Sequence, residues 1–206
     1  MSPPLEDKSE VLPPNFVFSS ENEFYYGPAT CGYMHYRTAI LLATVYEHVI
    51  QGALIATGYY SYHELHSLKL FVLLLIGTIS SMSLVSTFIM MYGLKSEQAN
   101  LLRPKLMMQA IQITFLLAFA TIAILAMCVG LELTNELFEH ILDVTQMERD
   151  MGPIWPFNVS VLAFMAAALG VWIRVVSGGA YEYLLDKEYF ATEGFINIEL
   201  RSRKDE

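Results

Sequence analysis

Charge is what this sequence has least of. Only 16% of its 206 residues are Asp, Glu, Lys or Arg, where a soluble globular domain carries about 25%. The few charges are mostly negative, giving a net −9, so a nucleic-acid partner has no electrostatic support. Two cysteines exclude a disulfide-dense scaffold and any four-cysteine zinc or iron–sulfur site. Residues 1–33 offer neither a basic stretch nor an apolar core, so no cleavable signal peptide is expected there. The marks of membrane or hydrolytic enzymes are missing too: there is no His-Glu-x-x-His pair, no Gly-x-Ser-x-Gly, no Cys-x-x-Cys and no phosphate-cradling glycine loop. No enzyme activity, cofactor or metal is expected.

Apolar residues fill the space the charges leave, at 54% of the chain. They form four stretches, about 36–58, 68–93, 106–131 and 155–177. Each can cross a hydrocarbon core of about 30 Å as a helix, and lipid leaves the backbone no other way to satisfy its hydrogen bonds. The run Leu70-Phe71-Val72-Leu73-Leu74-Leu75-Ile76 is apolar all round, unlike a helix of a soluble bundle. The predicted fold is all-α: a polytopic four-helix transmembrane bundle. Its domains are an acidic, proline-bearing disordered arm (1–34), the membrane domain (35–179) and a tail (180–206). Lys95, Arg103 and Lys105 fall in the middle connection, and Lys187, Arg201, Arg203 and Lys204 in the tail. The positive-inside rule then puts both termini in the cytosol. In the third connection Leu133, Leu137, Ile141 and Val144 fall near helical spacing, which predicts one short amphipathic helix at the outer interface. Six acids accompany it: Glu132, Glu136, Glu139, Asp143, Glu148 and Asp150.

Polar groups inside the spans are the candidate functional residues. Thr44, Glu47, His48 and Gln51 share one face of the first span. Glu47 lies about 16 Å of helix from the start of that span. An ionised carboxylate there costs at least about 2.5–3.5 kcal/mol, so Glu47 is expected to face the bundle, protonated or paired. Ser80, Ser81 and Ser83 of the second span and Gln112 of the third are its candidate polar partners. A structural, helix-locking role is preferred to a titrating one, because no second intramembrane acid continues a relay. Gln109, and the small residues Ala163, Ala166, Ala167 and Gly170, read as helix packing, and Arg174 as a snorkelling cation. His63 and His66 flank Glu64 and read as interfacial polar residues rather than metal ligands. The Asn158-Val159-Ser160 sequon lies too close to the bilayer to be glycosylated. Cys31 is a candidate palmitoylation position. Tyr181 and Leu184 match a tyrosine-based sorting signal, for which an aromatic headgroup belt is the competing reading.

Two stretches carry a family resemblance. The first span is entered through Cys31-Gly32-Tyr33-Met34-His35-Tyr36-Arg37-Thr38-Ala39. The second ends in Tyr92-Gly93, and Leu101-Leu102-Arg103-Pro104 opens the third. The chain thereby resembles the lysosome-associated four-span transmembrane family and its invertebrate relatives. It departs from that family in having Cys31 alone at the entry, a short first outer loop and no Pro-Pro-x-Tyr motif; Pro13-Pro14-Asn15-Phe16 comes nearest. The resemblance implies a non-enzymatic, multi-pass protein of late endosomal or lysosomal membranes, with the plasma membrane as the alternative location. Its expected partners are the lipid bilayer and other membrane proteins, which it would bind, sort or modulate, and a second copy of itself. The alternative is a small transporter or channel-like protein moving protons, small solutes or lipids past the Glu47/His48 stripe.

Overall fold

The computed structural model of the chain describes residues 25–66 and 68–202. Among them six α-helices follow one another: α1 (Tyr36–His63), α2 (Leu70–Ser96), α3 (Arg103–Val129), α4 (Leu131–Glu139), α5 (Val144–Met151) and α6 (Trp155–Ser202). Four of these, α1, α2, α3 with its preceding 3₁₀ turn, and α6, are long and apolar enough to cross a membrane. α1 packs on α2, α2 on α3, α3 on α6 and α6 back on α1. The four helices thus close a ring, each antiparallel to its ring neighbours.

The surface of this ring is apolar, which identifies its solvent. Val45, Val49, Phe71, Phe88, Met107, Leu125, Leu162 and Met165 all stand exposed. In water this would be an aggregating surface; in hydrocarbon it costs nothing. The protein is therefore an integral, multi-pass membrane protein. The interior is built from small residues instead, with Ala39, Ala43, Ala120, Ala123, Ala163, Ala167 and Ala180 buried. Small side chains let helix backbones approach where no hydrophobic effect draws them together.

The ring has two distinct ends. At the loop end, Phe138 of α4 packs edge-on against both Phe119 of α3 and Trp155 of α6. Gly130 makes this turn at φ 147°, ψ 164°, a backbone region essentially reserved for glycine. The expected single amphipathic helix is in fact two, because Asp143 caps a second one by accepting from the Gln146 N–H at 3.1 Å.

At the other end, the arm end, residues from Tyr25 onward fold onto the bundle. Tyr25 is buried and meets Tyr183 of α6 edge-on. Tyr36 wedges between Gly27 and Gly179, where a Cβ on Gly179 would fall 2.6 Å from its ring. α6 continues without a break through the segment assigned to a tail, and Ala180, Tyr183, Leu184 and Asp186 are buried in the arm-end core. At 48 residues α6 is about 72 Å long, well over the hydrocarbon thickness, so it stands out of the membrane. The Pro13-Pro14 segment lies outside the described residues.

A buried charged junction between three helices

The deepest polar cluster joins α1, α2 and α3, and its centre is a lysine. Lys105 occupies the first turn of α3, directly after Pro104, and its side chain is completely buried. It is therefore not the loop cation that its position beside Arg103 suggests. The helix begins earlier than its hydropathy, because Pro104 suits the first turn, and this places Lys105 inside the bundle. Its Nζ donates to Glu47 Oε1 at 2.8 Å, to Thr87 Oγ1 at 3.0 Å and to Ser83 Oγ at 3.4 Å. Glu47 Oε1 also accepts from Ser83 Oγ at 3.0 Å and from Gln51 Nε2 at 3.2 Å. His48 adds contacts from Nε2 to Thr87 Oγ1 at 2.9 Å and from Nδ1 to Gln51 Oε1 at 3.1 Å.

The first-span stripe thus reaches its partners as a unit. Glu47, His48 and Gln51 all join the junction, while Thr44 is buried one turn away with Oγ1 unpartnered. Ser83 belongs to the cluster, but two of the other expected partners do not. Ser81 faces outward and returns its hydroxyl to the Gly77 carbonyl at 2.8 Å, and Ser80, like Gln112, makes no recorded contact with it. A helix turns 100° per residue, so the stripe's own face of α2 carries Ser83, Ser86 and Thr87 and turns Ser81 away. Sequence reasoning missed Thr87 and Lys105 as partners of the stripe, reading Lys105 as a loop cation. The available signal was a lysine just inside an apolar run facing the one carboxylate in the membrane.

Two further ties flank the junction. Gln109 Nε2 donates to Ser177 Oγ at 3.1 Å and joins α3 to α6. Glu97, in the turn after α2, accepts from Lys187 Nζ at 2.6 Å and lies 3.8 Å from Arg37. The hydrogen bond from Lys187 holds the Glu97 carboxyl below the usual range; burial opposes it, and the Lys187 and Arg37 charges add to the lowering. Arg37 also donates to the Leu94 carbonyl at 3.3 Å. His35 caps α1 by accepting from the Arg37 N–H at 3.0 Å. Gly93 is required close by, since a Cβ there would lie 2.7 Å from that of Leu101. The two sequence stretches that carry the family resemblance therefore meet at one place, the arm end of α1 and the α2–α3 turn.

The other candidate residues are spread over the molecule. Tyr181 and Leu184 lie within α6, and Leu184 is fully buried against the arm-end core. Tyr181 is half-buried beside it and turns its hydroxyl to Arg103. Cys31 is exposed in a turn at φ 53°, and Cys128 is exposed near the end of α3. His63 Nδ1 contacts its neighbour Glu64 at 3.1 Å, and His66 Nδ1 donates to the Tyr62 carbonyl. Among the described residues no group of three potential metal ligands gathers. Of the six loop acids, Glu139, Asp143 and Glu148 line an open cavity of about 460 Å3 with Lys69, whose ammonium reaches the Glu139 carbonyl.

Comparison with known proteins gives the chain its relatives. It is 38% identical over 195 residues to Protein cuti-1 of Caenorhabditis elegans, an alignment covering 95% of this chain and 96% of that protein. The chain belongs to the cuti-1 family. The likeness spans all four candidate membrane helices, so the bundle and its junction fall within the shared region. No protein-family model matches the chain, and no solved structure is similar to it.

Proposed function

We propose that this cuti-1 relative is a non-enzymatic membrane protein that binds other membrane proteins and sorts or modulates them in the endolysosomal system, with both termini in the cytosol. One observation carries the binding half of this reading. The charged interior is spent on internal contacts: Lys105 directs its donors to Glu47, Ser83 and Thr87, tying three helices together. What the bundle offers outward is an apolar helical surface, the kind on which further transmembrane helices pack. The compartment rests on the resemblance of the His35–Arg37 and Gly93–Pro104 stretches to the lysosome-associated family, and the cytosolic termini on the distribution of Lys and Arg.

A second reading, transport of protons or small solutes, has its own support. Glu47 Oε2 and Thr44 Oγ1 are buried without a partner, so the junction keeps an acceptor in reserve.

Flux separates the two readings. The full-length protein in liposomes, beside its Glu47→Gln variant, should show no Glu47-dependent movement of protons or solutes. Crosslinking in intact cells should capture specific membrane proteins, with the tagged chain on late endosomes or lysosomes. Glu47-dependent flux would replace the binding reading with the transport one. Residence elsewhere would remove the endolysosomal part alone.

A further inference from the structure

The junction uses Lys105, and Glu97 takes Lys187 and Arg37. Two arginines on the opposite side of the ring remain unused. Arg103 opens α3, and Arg174 lies on the facing stretch of α6. Both are exposed. Arg103 Nε donates to the Tyr181 hydroxyl at 3.1 Å, and its guanidinium carbon lies 5.9 Å from the centre of the Tyr181 ring. Arg174 Nη1 donates to the Leu106 carbonyl. Leu106 is one helical turn along from Arg103, about 4.5 Å of rise. The two guanidinium groups therefore share the same α3/α6 groove.

Neither arginine is paired with a carboxylate in any recorded ion pair among the described residues. Asp186, further along α6, accepts instead from buried Tyr25 at 3.2 Å. The groove thus holds two positive charges with donors to spare. Arg103 keeps both terminal nitrogens after giving Nε to Tyr181. Tyr181 accepts that bond and keeps its own O–H to donate.

Depth identifies what lies opposite these donors. Arg174 is nineteen residues from Trp155, which begins α6 at the loop end. That is about 28 Å of helix, close to one hydrocarbon thickness of roughly 30 Å. Tyr181 lies two turns beyond, about 10 Å further. With Trp155 taken as the start of the hydrocarbon span, the stretch of groove between Arg174 and Tyr181 falls at the depth of the headgroup layer.

We propose that the α3/α6 groove binds a membrane lipid through a phosphate-monoester headgroup, with Arg103, Arg174 and Tyr181 as its ligands. A monoester carries about −1.5 to −2 charges at neutral pH, which matches two uncompensated guanidinium groups. A diester phosphate supplies only one. The planar guanidinium fork fits phosphate oxygens in pairs, which an ammonium does not.

The test uses the full-length protein in phosphatidylcholine nanodiscs and reads bound lipid by native mass spectrometry. One set of discs contains phosphatidate or a phosphoinositide, another phosphatidylserine at matched total charge, and a third set receives inorganic phosphate alone. The wild-type chain should retain the monoester lipids about tenfold over phosphatidylserine, and Arg103→Gln with Arg174→Gln should lose that preference, as expected for removing charge-assisted hydrogen bonds. Lys95→Gln, at the same end but outside the groove, should keep it. Arg103→Lys with Arg174→Lys preserves the charge for the case in which the glutamine variant does not fold, and should still weaken the preference. Equal retention of phosphatidylserine, an equal loss with Lys95→Gln, or full retention in the folded lysine variant would each overturn the proposal. So would capture of inorganic phosphate without retention of any monoester lipid.

Discussion

Replacing Lys105 alone should damage the bundle far more than neutralising the whole ion pair. The Nζ–Oε1 distance is 2.8 Å, with the lysine side chain 1% and the glutamate side chain 9% exposed. At an effective dielectric of about 20, that separation corresponds to an attraction of about 6 kcal/mol. Burying the two charges costs several kcal/mol each, so attraction and desolvation nearly cancel. Lys105→Met keeps the stem volume but strands the Glu47 carboxylate, for which a loss of about 3–5 kcal/mol is expected. Glu47→Gln alone should cost less, because the amide still meets Ser83 and Gln51. The double variant carries no stranded charge and should be more stable than Lys105→Met alone. The assay is reversible unfolding in mild detergent against increasing dodecyl sulfate, with all four proteins in one cycle. Added salt should change little, because a buried pair is weakly screened. A Lys105→Met protein as stable as the wild type would refute the reasoning. A double variant whose loss equals the sum of the two single losses would refute it equally, since no coupling would then exist.

Gly179→Ala puts a methyl 2.6 Å from the Tyr36 ring and should cost about 1–3 kcal/mol by overpacking; Tyr36→Ala in the same chain should recover part of it, measured in the same unfolding assay. Because the Glu97 carboxyl is held below its ordinary value of 4.5, its stabilisation is present above that pH and fades as pH falls through the lowered value. The effect should be at most about 1 kcal/mol for so exposed a group, and a Glu97→Gln protein should lack this component of the stability-versus-pH curve. Epitope tags at either end should be cleaved when protease is added outside sealed microsomes with the cytosolic face outward, and a tag inserted after Glu139 should be protected; the reverse pattern would invert the orientation. With Leu184 buried, Tyr181→Ala should leave the amount of protein at the cell surface unchanged, as read by surface biotinylation.

Four spans, their helical state and the position of Glu47 were legible in the sequence, because crossing hydrocarbon is a one-dimensional requirement. A long apolar run answers it residue by residue, without reference to any neighbour. The stripe from Thr44 to Gln51 was legible for the same reason, since four residues on one helix fix their own common face. Which partners the stripe meets is a different kind of question. α2 is apolar nearly all round, so nothing in its pattern selects Ser83 and Thr87 over Ser80 and Ser81. Only the crossing of α1 and α2 makes that choice. Lys105 shows the limit most sharply. In sequence it is one of three basic residues in a short connection, and counting charges treats them alike. Its meeting with Glu47, 58 residues away, exists only once α1, α2 and α3 have packed. The continuation of α6 was hidden likewise: its residues from Ala180 onward mix charged with apolar side chains, and they become a buried wall only because Tyr25 and Tyr36 fold back against them. The sequence alone determined which segments enter the membrane; the tertiary structure decided which polar groups are spent holding them together, because that depends on distances between helices that no single helix encodes.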